Sequence, residues 1–427
     1  MFTRQAALDL DANDPLAKYR DRFVFTDPEV CYLDGNSLGR LPKSTVESIN
    51  KFLVEGWGTK VVDGWGEWID KAETTGDLIG RSALGAAAGQ TLAMDTTSVN
   101  FYRLVRAAIS ARPGRKTIIT DEANFPTDRY IMQGIAEELG LNLVVTPNDL
   151  QEHSTGDTFS DELVTPEILK PYLNDDVALV TISVVAYRSG ALHNIKELTD
   201  LVRASGALMV WDASHAVGAV DMQFDRDGVD LAVGCTYKYG NSGPGSPAWL
   251  YVSKRIQSEL QMPIQGWFAQ RNQFLMGSKF DQIEGMRGFQ IASPSIIGLL
   301  CIDEGFGMVE DATIAQINAK ASKGTDMMIE LFDQWLVPLG FELVTPRDSK
   351  LRGGHISIYH SDAAQIARGL RDEMKVIPDY RAPNSIRLAI SPLPTSYVEV
   401  FDGFERIRDY TQSGKYKGLD LRNVKVS

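Results

Sequence analysis

WDASHAVGAV (Trp211–Val220) and GCTYKYGNSGPGSPAW (Gly234–Trp249) are the stretches that decide how this chain folds. The first follows an apolar run, Ala207–Trp211 (ALMVW), and sets an acid, Asp212, at its end. In α/β folds ligands occupy the crevice beyond the carboxyl ends of parallel strands. A carboxylate buried there needs a positive partner; its other ordinary use is to cap a following helix. In the second stretch Lys238 follows the strand-like run Leu231–Gly234 (LAVG) and precedes a Gly/Pro-rich turn. That position aims a side chain into a shaped cavity, although a solvated surface lysine has the same spelling. A lysine partly desolvated near other cations has a lowered pKa and becomes a nucleophilic amine toward carbonyls.

The pair is more telling than either member. Asp212 and Lys238 lie 26 positions apart, room for one connection back to a neighbouring strand. Enzymes that use pyridoxal phosphate place an acid on the pyridine nitrogen and a lysine on the aldehyde.

Outward from this centre, the runs Lys116–Thr120 (KTIIT), Val177–Val185 (VALVTISVV) and Ala248–Val252 (AWLYV) read as further buried strands. Helix-period segments lie between them, notably Thr97–Ala111 and Ile195–Ser205. Asn194 with Glu197 forms a capping box for the second, and Gly206 ends it. The alternation predicts an α/β fold with a mainly parallel sheet. Beyond about residue 300, a helical stretch (Thr313–Trp335) leads into FELVTP, HISIYH and SIRLAI, the texture of a smaller α+β domain. The expected division is an N-terminal arm (1–45) packing with the small domain, a large domain (46–305) and a small C-terminal domain (306–427).

Two more segments carry site chemistry. In DEANFPTDRY (Asp121–Tyr130), Phe125 can stack on a flat ring with Thr127 and Asp128 beside it; a Pro-bearing turn that starts a helix reads the same way. In DTTSVNFYRL (Asp95–Leu104), Thr97 and Ser98 open a helix whose N-terminus suits a phosphate or simply caps itself. His215 is the one of five histidines that sits beside the Asp212 strand end.

Composition narrows the class. The 427 residues are 44% hydrophobic and 23% charged, with a formal net charge of −13. An acidic surface repels phosphate backbones, so nucleic acid is not an expected partner. Cys31, Cys235 and Cys301 are odd in number and lack a C-x-x-C, so neither a disulfide framework nor a metal site is expected. The N-terminal stretch has no apolar core of a signal peptide. No apolar run reaches the roughly 18–20 residues that span a bilayer. A soluble, cytoplasmic protein without membrane contact is expected.

Taken together, the segments resemble kynureninase, a fold-type-I pyridoxal-phosphate hydrolase, over nearly the whole chain. The strings YLDGNSLGRLP (Tyr32–Pro42), GWGTKVVDGW (Gly56–Trp65), TTSVN (Thr96–Asn100), NFPTD (Asn124–Asp128) and YRSG (Tyr187–Gly190) come in the family's order. WDASH, GCTYKY, GWF (Gly266–Phe268), RGGHISI (Arg352–Ile358) and DYRAPNSIRLAISPL (Asp379–Leu393) follow. The resemblance implies the fold-type-I transferase-like architecture and a Schiff base on Lys238, which moves protons at Cα and C4′. It implies Asp212 on the pyridine nitrogen and Phe125 stacked on the ring, with Asp128 beside it. Thr97, Ser98, Thr127, His215 and Tyr237 would hold the phosphate and its surroundings, Tyr237 doubling as acid/base. Trp267 and Ser293 would reach the phosphate from the partner subunit of a homodimer, and Arg387 would clamp the substrate α-carboxylate. Arg188 and Arg381 read as structural ion pairs.

The family reaction is hydrolytic Cβ–Cγ cleavage of L-kynurenine or 3-hydroxykynurenine, giving anthranilate or 3-hydroxyanthranilate and L-alanine, in tryptophan catabolism. The chain departs from the family around the presumed substrate pocket. Ala269-Gln270 replaces Gly-His, Val184-Val185-Ala186 replaces His-Val-Asn, and Ser293-Pro294-Ser295 replaces a Thr- or Asn-Pro-Pro segment. Lost hydrogen-bonding groups change how an aryl ketone is held. A kynureninase-like enzyme working on a different amino acid, by β/γ-elimination or related chemistry, is therefore the alternative. A non-catalytic binding protein has no need of Lys238.

Overall fold

The structure, a computed structural model, describes residues 1–148 and 162–419. Its core is a seven-stranded sheet built from β2 (Thr91–Ala93), β3 (Thr117–Asp121), β4 (Asn142–Thr146), β5 (Val177–Ser183), β6 (Leu208–Asp212), β7 (Leu231–Gly234) and β8 (Trp249–Val252). A preceding short strand, β1 (Cys31–Tyr32), pairs elsewhere. The order is β2-β8-β7-β6-β5-β3-β4. Strands β7, β6, β5, β3 and β4 are mutually parallel, and β8 runs antiparallel to both β7 and β2. The mainly parallel sheet is thus as expected, with an antiparallel edge.

Every residue of β5 and β6 is buried, which is why these strands are continuous apolar runs and not alternating ones. Two strands escaped the sequence reading. β2 is three residues long, and β4 is an edge strand whose residues are mostly half-buried or exposed.

Helix Ile195–Ala204 buries Ile195, Leu198, Thr199 and Val202, one face at helical spacing. Its Asn194 side chain accepts from the Glu197 amide, as the capping box predicts. Trp211 Nε1 donates to Thr199 Oγ1 at 3.0 Å, tying this helix to the strand that ends at Asp212.

Helix Ile296–Ala312 runs unbroken through residues 305 and 306 and buries Leu299, Ile302, Phe306 and Val309 in the core of the large sheet. The chain breaks at Thr313, whose φ is +64°, and a new helix runs over Ile314–Leu331. Next come β9 (Glu342–Leu343), β10 (His355–Tyr359), β11 (Val376–Ile377), β12 (Asp379–Arg381) and β13 (Ser385–Ala389). Four of them form an antiparallel sheet in the order β12-β13-β10-β9. The arm touches both cores. β1 pairs parallel with β11, and Ala7 and Leu33 join the C-terminal core, whereas Leu16, Tyr19 and Phe23 join the large one.

Within the arm, the Gly39 amide donates to the Tyr237 carbonyl at 2.7 Å. A Cβ at Gly39 would collide with the Lys238 carbonyl and with Asn241, so only glycine permits this approach. Among the described residues no helix is long and apolar enough to cross a membrane, and no group of three His, Cys, Asp or Glu is placed to hold a metal.

Candidate active site

The sheet brings Asp212 and Lys238 together as their spacing predicts. β6 and β7 are parallel neighbours, with Asp212 opposite Val233. Lys238 lies four residues past Gly234, the end of β7, and opens a tight turn in which the Asn241 amide donates to the Lys238 carbonyl. Asp212 ends β6 beside Ser183, the last residue of β5. Both side chains face one cavity of about 220 Å³.

Thr97, Ser98, Phe125, Thr127, Asp128, Asp212, His215, Tyr237 and Lys238 all line that cavity. Two helices point their N-termini at it. Thr96 caps the helix Thr97–Ser110 by accepting from the Val99 amide, which leaves the Thr97 and Ser98 hydroxyls for the cavity. Phe125 precedes helix Pro126–Leu139, with Pro126 in its first turn. The Pro-bearing turn that starts a helix is thus present at this segment, on the cavity wall. Helix N-termini carrying hydroxyls suit a phosphate. Phe125 is held by a T-shaped contact with Tyr187, ring centroids 5.2 Å apart.

Three lining residues were missed from sequence: Ser183, Val185 and Ser214. Ser183 Oγ donates to Asn124 Oδ1 at 2.7 Å, and the same oxygen accepts from the Phe125 amide at 2.8 Å. Asn124 thus locks the β5 end to the Phe125 turn. The Ser214 amide donates to Asp212 Oδ1 at 2.7 Å, and its Oγ accepts from the Cys235 amide at 3.2 Å. Their signal was available: each sits at or just past the carboxyl end of a strand.

Electrostatics divide the site. Lys238 is buried, and burial pushes its pKa down, helped by the positive charges of Arg387 and Arg381. Its Nζ lies 2.7 Å from His215 Nε2. His215 is held well below its ordinary value by burial and then by Lys238, so it stays neutral. Burial, and then the charge of Asp212, push Asp128 well up. Asp128 therefore keeps its proton and hydrogen-bonds Asp212. Burial next to Cys235 raises the Tyr237 phenol, keeping it a donor at neutral pH.

Arg387 is 1% exposed. Its guanidinium meets the Asp379 carboxylate and the Tyr187 carbonyl, and donates to Ser37 Oγ at 3.1 Å. Arg381 joins the same carboxylate at 3.0 Å, the structural pair expected of it. Arg188 donates to the Tyr187 hydroxyl at 3.2 Å. Arg387 stands behind the cavity and is not on its wall.

Trp267 and Ser293 lie outside the cavity. Trp267 is half-exposed and packs on Phe268 and Phe274. Ser293 borders a separate apolar recess with Phe52, Trp57, Trp65 and Trp68. None of the substituted residues lines the cavity; Val184 and Ala186 are buried behind Val185, which does line it and matches the family.

The arrangement accepts a flat ring carrying an anionic group at one end and an aldehyde at the other. Its hydroxyls and two helix N-termini suit an anion, Asp212 offers a carboxylate and Lys238 a desolvated amine. Solved structures share the whole architecture. A cysteine desulfurase from Escherichia coli superposes with a TM-score of 0.76 at 13% identity, covering 93% of this chain and 98% of that one. A cysteine desulfurase from Thermococcus onnurineus gives 0.75 at 18% identity, with the same coverage. A C-DES variant with glycine linked to its PLP cofactor gives 0.75 at 14% identity, over 90% of this chain and 97% of that one. Fold and cavity together define a fold-type-I pyridoxal-phosphate enzyme.

Sequence relatives narrow the class. The chain is 34% identical to a kynureninase of Pseudomonas fluorescens, covering 95% of this chain and 94% of the relative. It is 35% identical to a kynureninase of Burkholderia pseudomallei, covering 99% and 98%. Residues 317–407 match the kynureninase C-terminal domain. The chain belongs to the kynureninase family.

Proposed function

We propose that this enzyme binds pyridoxal phosphate at Lys238 and hydrolyses the Cβ–Cγ bond of L-kynurenine or its 3-hydroxy derivative, releasing an anthranilate and L-alanine. The observation that carries the reading is the convergence of Asp212, His215, Tyr237 and a desolvated Lys238 on one cavity flanked by two helix N-termini. When bound, the cofactor supplies an electron sink for the charge left at Cα.

The remaining work falls to the chain. Asp212 holds a positive charge on the ring nitrogen. Thr97, Ser98 and Thr127 hold the phosphate. Phe125 packs on the ring. Lys238, which would carry the cofactor, would with its free amine take the Cα proton and return it. Tyr237, kept protonated, would donate to the γ-carbonyl oxygen as water adds there; when the Cβ–Cγ bond breaks, the acyl carbon leaves as the anthranilate carboxyl group and Cβ takes a proton to complete alanine. Arg387 orients the α-carboxylate through its planar fork, which requires the Tyr187 carbonyl or Ser37 to give up a donor.

The functional unit we propose is a homodimer, in which Trp267 and Ser293 complete the partner's site. Its support is the exposed apolar surface of Trp57, Val61, Val62, Phe274, Leu275 and Met276 next to these two residues. Three unpaired thiols support a reducing, cytoplasmic setting.

A second reading, a different amino-acid substrate, rests on the departures from the family at 184, 186, 269 and 270, none of which lines the cavity of its own chain. Incubation with L-kynurenine separates the two. Formation of anthranilate, read by its fluorescence, is expected. Absence of anthranilate while other amino acids perturb the cofactor spectrum would leave the cofactor site standing and overturn the substrate.

A further inference from the structure

His355 is fully buried at the start of β10, opposite Ala389 in the small sheet. Its ring stands 5.6 Å from that of His215, centroid to centroid, at 51°. The two histidines are far apart in sequence, His215 in the turn after β6 of the large sheet and His355 in the small sheet. His215 spends Nε2 on Lys238 at 2.7 Å. Its Nδ1 is buried without a hydrogen-bond partner, and the polar group beside the buried His355 is the Tyr187 backbone.

Orphaned buried polar atoms are rare and costly unless they serve one another or a site. A neutral imidazole is a donor at one nitrogen and an acceptor at the other, and what faces one nitrogen fixes the role of the second. Whatever meets His215 Nδ1 therefore decides whether Nε2 accepts from the lysine nitrogen or donates to it. His355 is the titratable side chain stacked against that ring. The other charges facing the pair are Lys238, Arg387 and Arg381, with the Tyr187 backbone beside His355. The Tyr239 phenol lies against Gly354.

We propose that His355 is a positioning residue: through its ring contact with His215 it fixes which His215 nitrogen faces Lys238, and so sets the protonation of the lysine nitrogen. This rests on the functional reading above, because the lysine nitrogen matters through the cofactor it carries. Cys235 and Asp212 favour a proton on that nitrogen while burial, Arg387 and Arg381 oppose it, and a neutral His215 that accepts at Nε2 adds to its shelter.

The test is the absorbance titration of bound pyridoxal phosphate across neutral pH, on the full chain. In His355→Leu the midpoint is expected to fall by about half a unit or more. Glutamine keeps one donor and one acceptor, so His355→Gln is expected to return most of the way to wild type. If the leucine variant does not fold, His355→Asn replaces it. That side chain is polar but too short to reach His215, and the same fall is expected. A residue that merely fills space would lower the melting temperature and leave the midpoint where it was. An unmoved midpoint in a folded leucine or asparagine variant overturns the assignment, as does a glutamine variant that shifts equally. A wild-type protein with no borohydride-reducible adduct at Lys238 overturns the functional reading itself; an adduct with an unmoved midpoint overturns only the role of His355.

Discussion

His215 Nε2 sits 2.7 Å from Lys238 Nζ, a contact between two groups that burial and mutual repulsion both keep from being charged together. It ties the turn after β6 to the turn after β7 and places a neutral ring at the amine that does the chemistry. His215→Leu should leave the fold intact and lower the lysine's proton affinity, because an apolar side chain removes the acceptor at Nε2 and solvates charge no better than the ring did. The rate of adduct formation with added pyridoxal phosphate, followed against pH, checks this. The variant's profile should reach half its maximum at a lower pH.

Asp128 keeps its proton and hydrogen-bonds Asp212, so its amide isostere should serve nearly as well. Asp128→Asn is expected to bind the cofactor within about threefold of wild type. Asp128→Leu is expected to bind about tenfold or more weakly, because a hydrogen bond to a charged group contributes roughly 1.5–3 kcal/mol. Equilibrium titration of the apoenzyme measures both. An asparagine variant as poor as the leucine one would mean that Asp128 works as an anion.

Asp379 holds Arg387 and Arg381 in the small domain and is itself fully buried. Removing one partner of a buried ion pair costs roughly 3–5 kcal/mol, since the charge left behind is uncompensated. Asp379→Ala should show a loss of that order in urea unfolding. It should also bind substrate carboxylates differently, since it frees the Arg387 fork.

Asp121 ends β3 at a buried position that lifts its pKa to about 7, through burial opposed by a hydrogen bond from Asn148. The folded carboxyl holds its proton above the ordinary unfolded value of about 3.9. Its contribution to stability is therefore complete below that value and is lost as pH rises through about 7. Asp121→Asn, neutral throughout, should lose less stability between mildly acidic and mildly alkaline pH than wild type does. Urea midpoints at the two pH values decide it; equal losses would contradict the assignment.

Phe274 and Leu275 are 71% and 78% exposed on the segment that follows Trp267. If that face docks a second copy, changing both residues to Asp should shift sedimentation from dimer to monomer. Cofactor retention should fall as well, although neither residue lines the cavity of its own chain.

Much of this was legible in the sequence, for identifiable reasons. Asp212 and Lys238 stand just past continuous apolar runs, and a parallel sheet puts the ends of such runs on one rim. The Asn194–Glu197 cap and the Phe125–Pro126 turn are local, so they read directly. What was hidden depends on distant chain. Val184 and Ala186 replace polar residues and seemed to alter the pocket, yet alternation along the strand end sends only Val185 to the cavity wall. Ser183 and Ser214 look like ordinary small polar residues until the sheet register sets them beside Asp212. The helix break at Thr313 needs a positive φ on a β-branched residue, which no local preference announces. His355 reads as one residue of a strand, and only the docking of the small sheet brings its ring to His215.

The most direct measurement is to load the protein with pyridoxal phosphate, reduce it with borohydride, digest it and locate the modified peptide by mass. A single pyridoxyl group on Lys238, absent from Lys238→Ala, is the predicted result. Modification of another lysine, or none while the protein stays folded, would contradict the account.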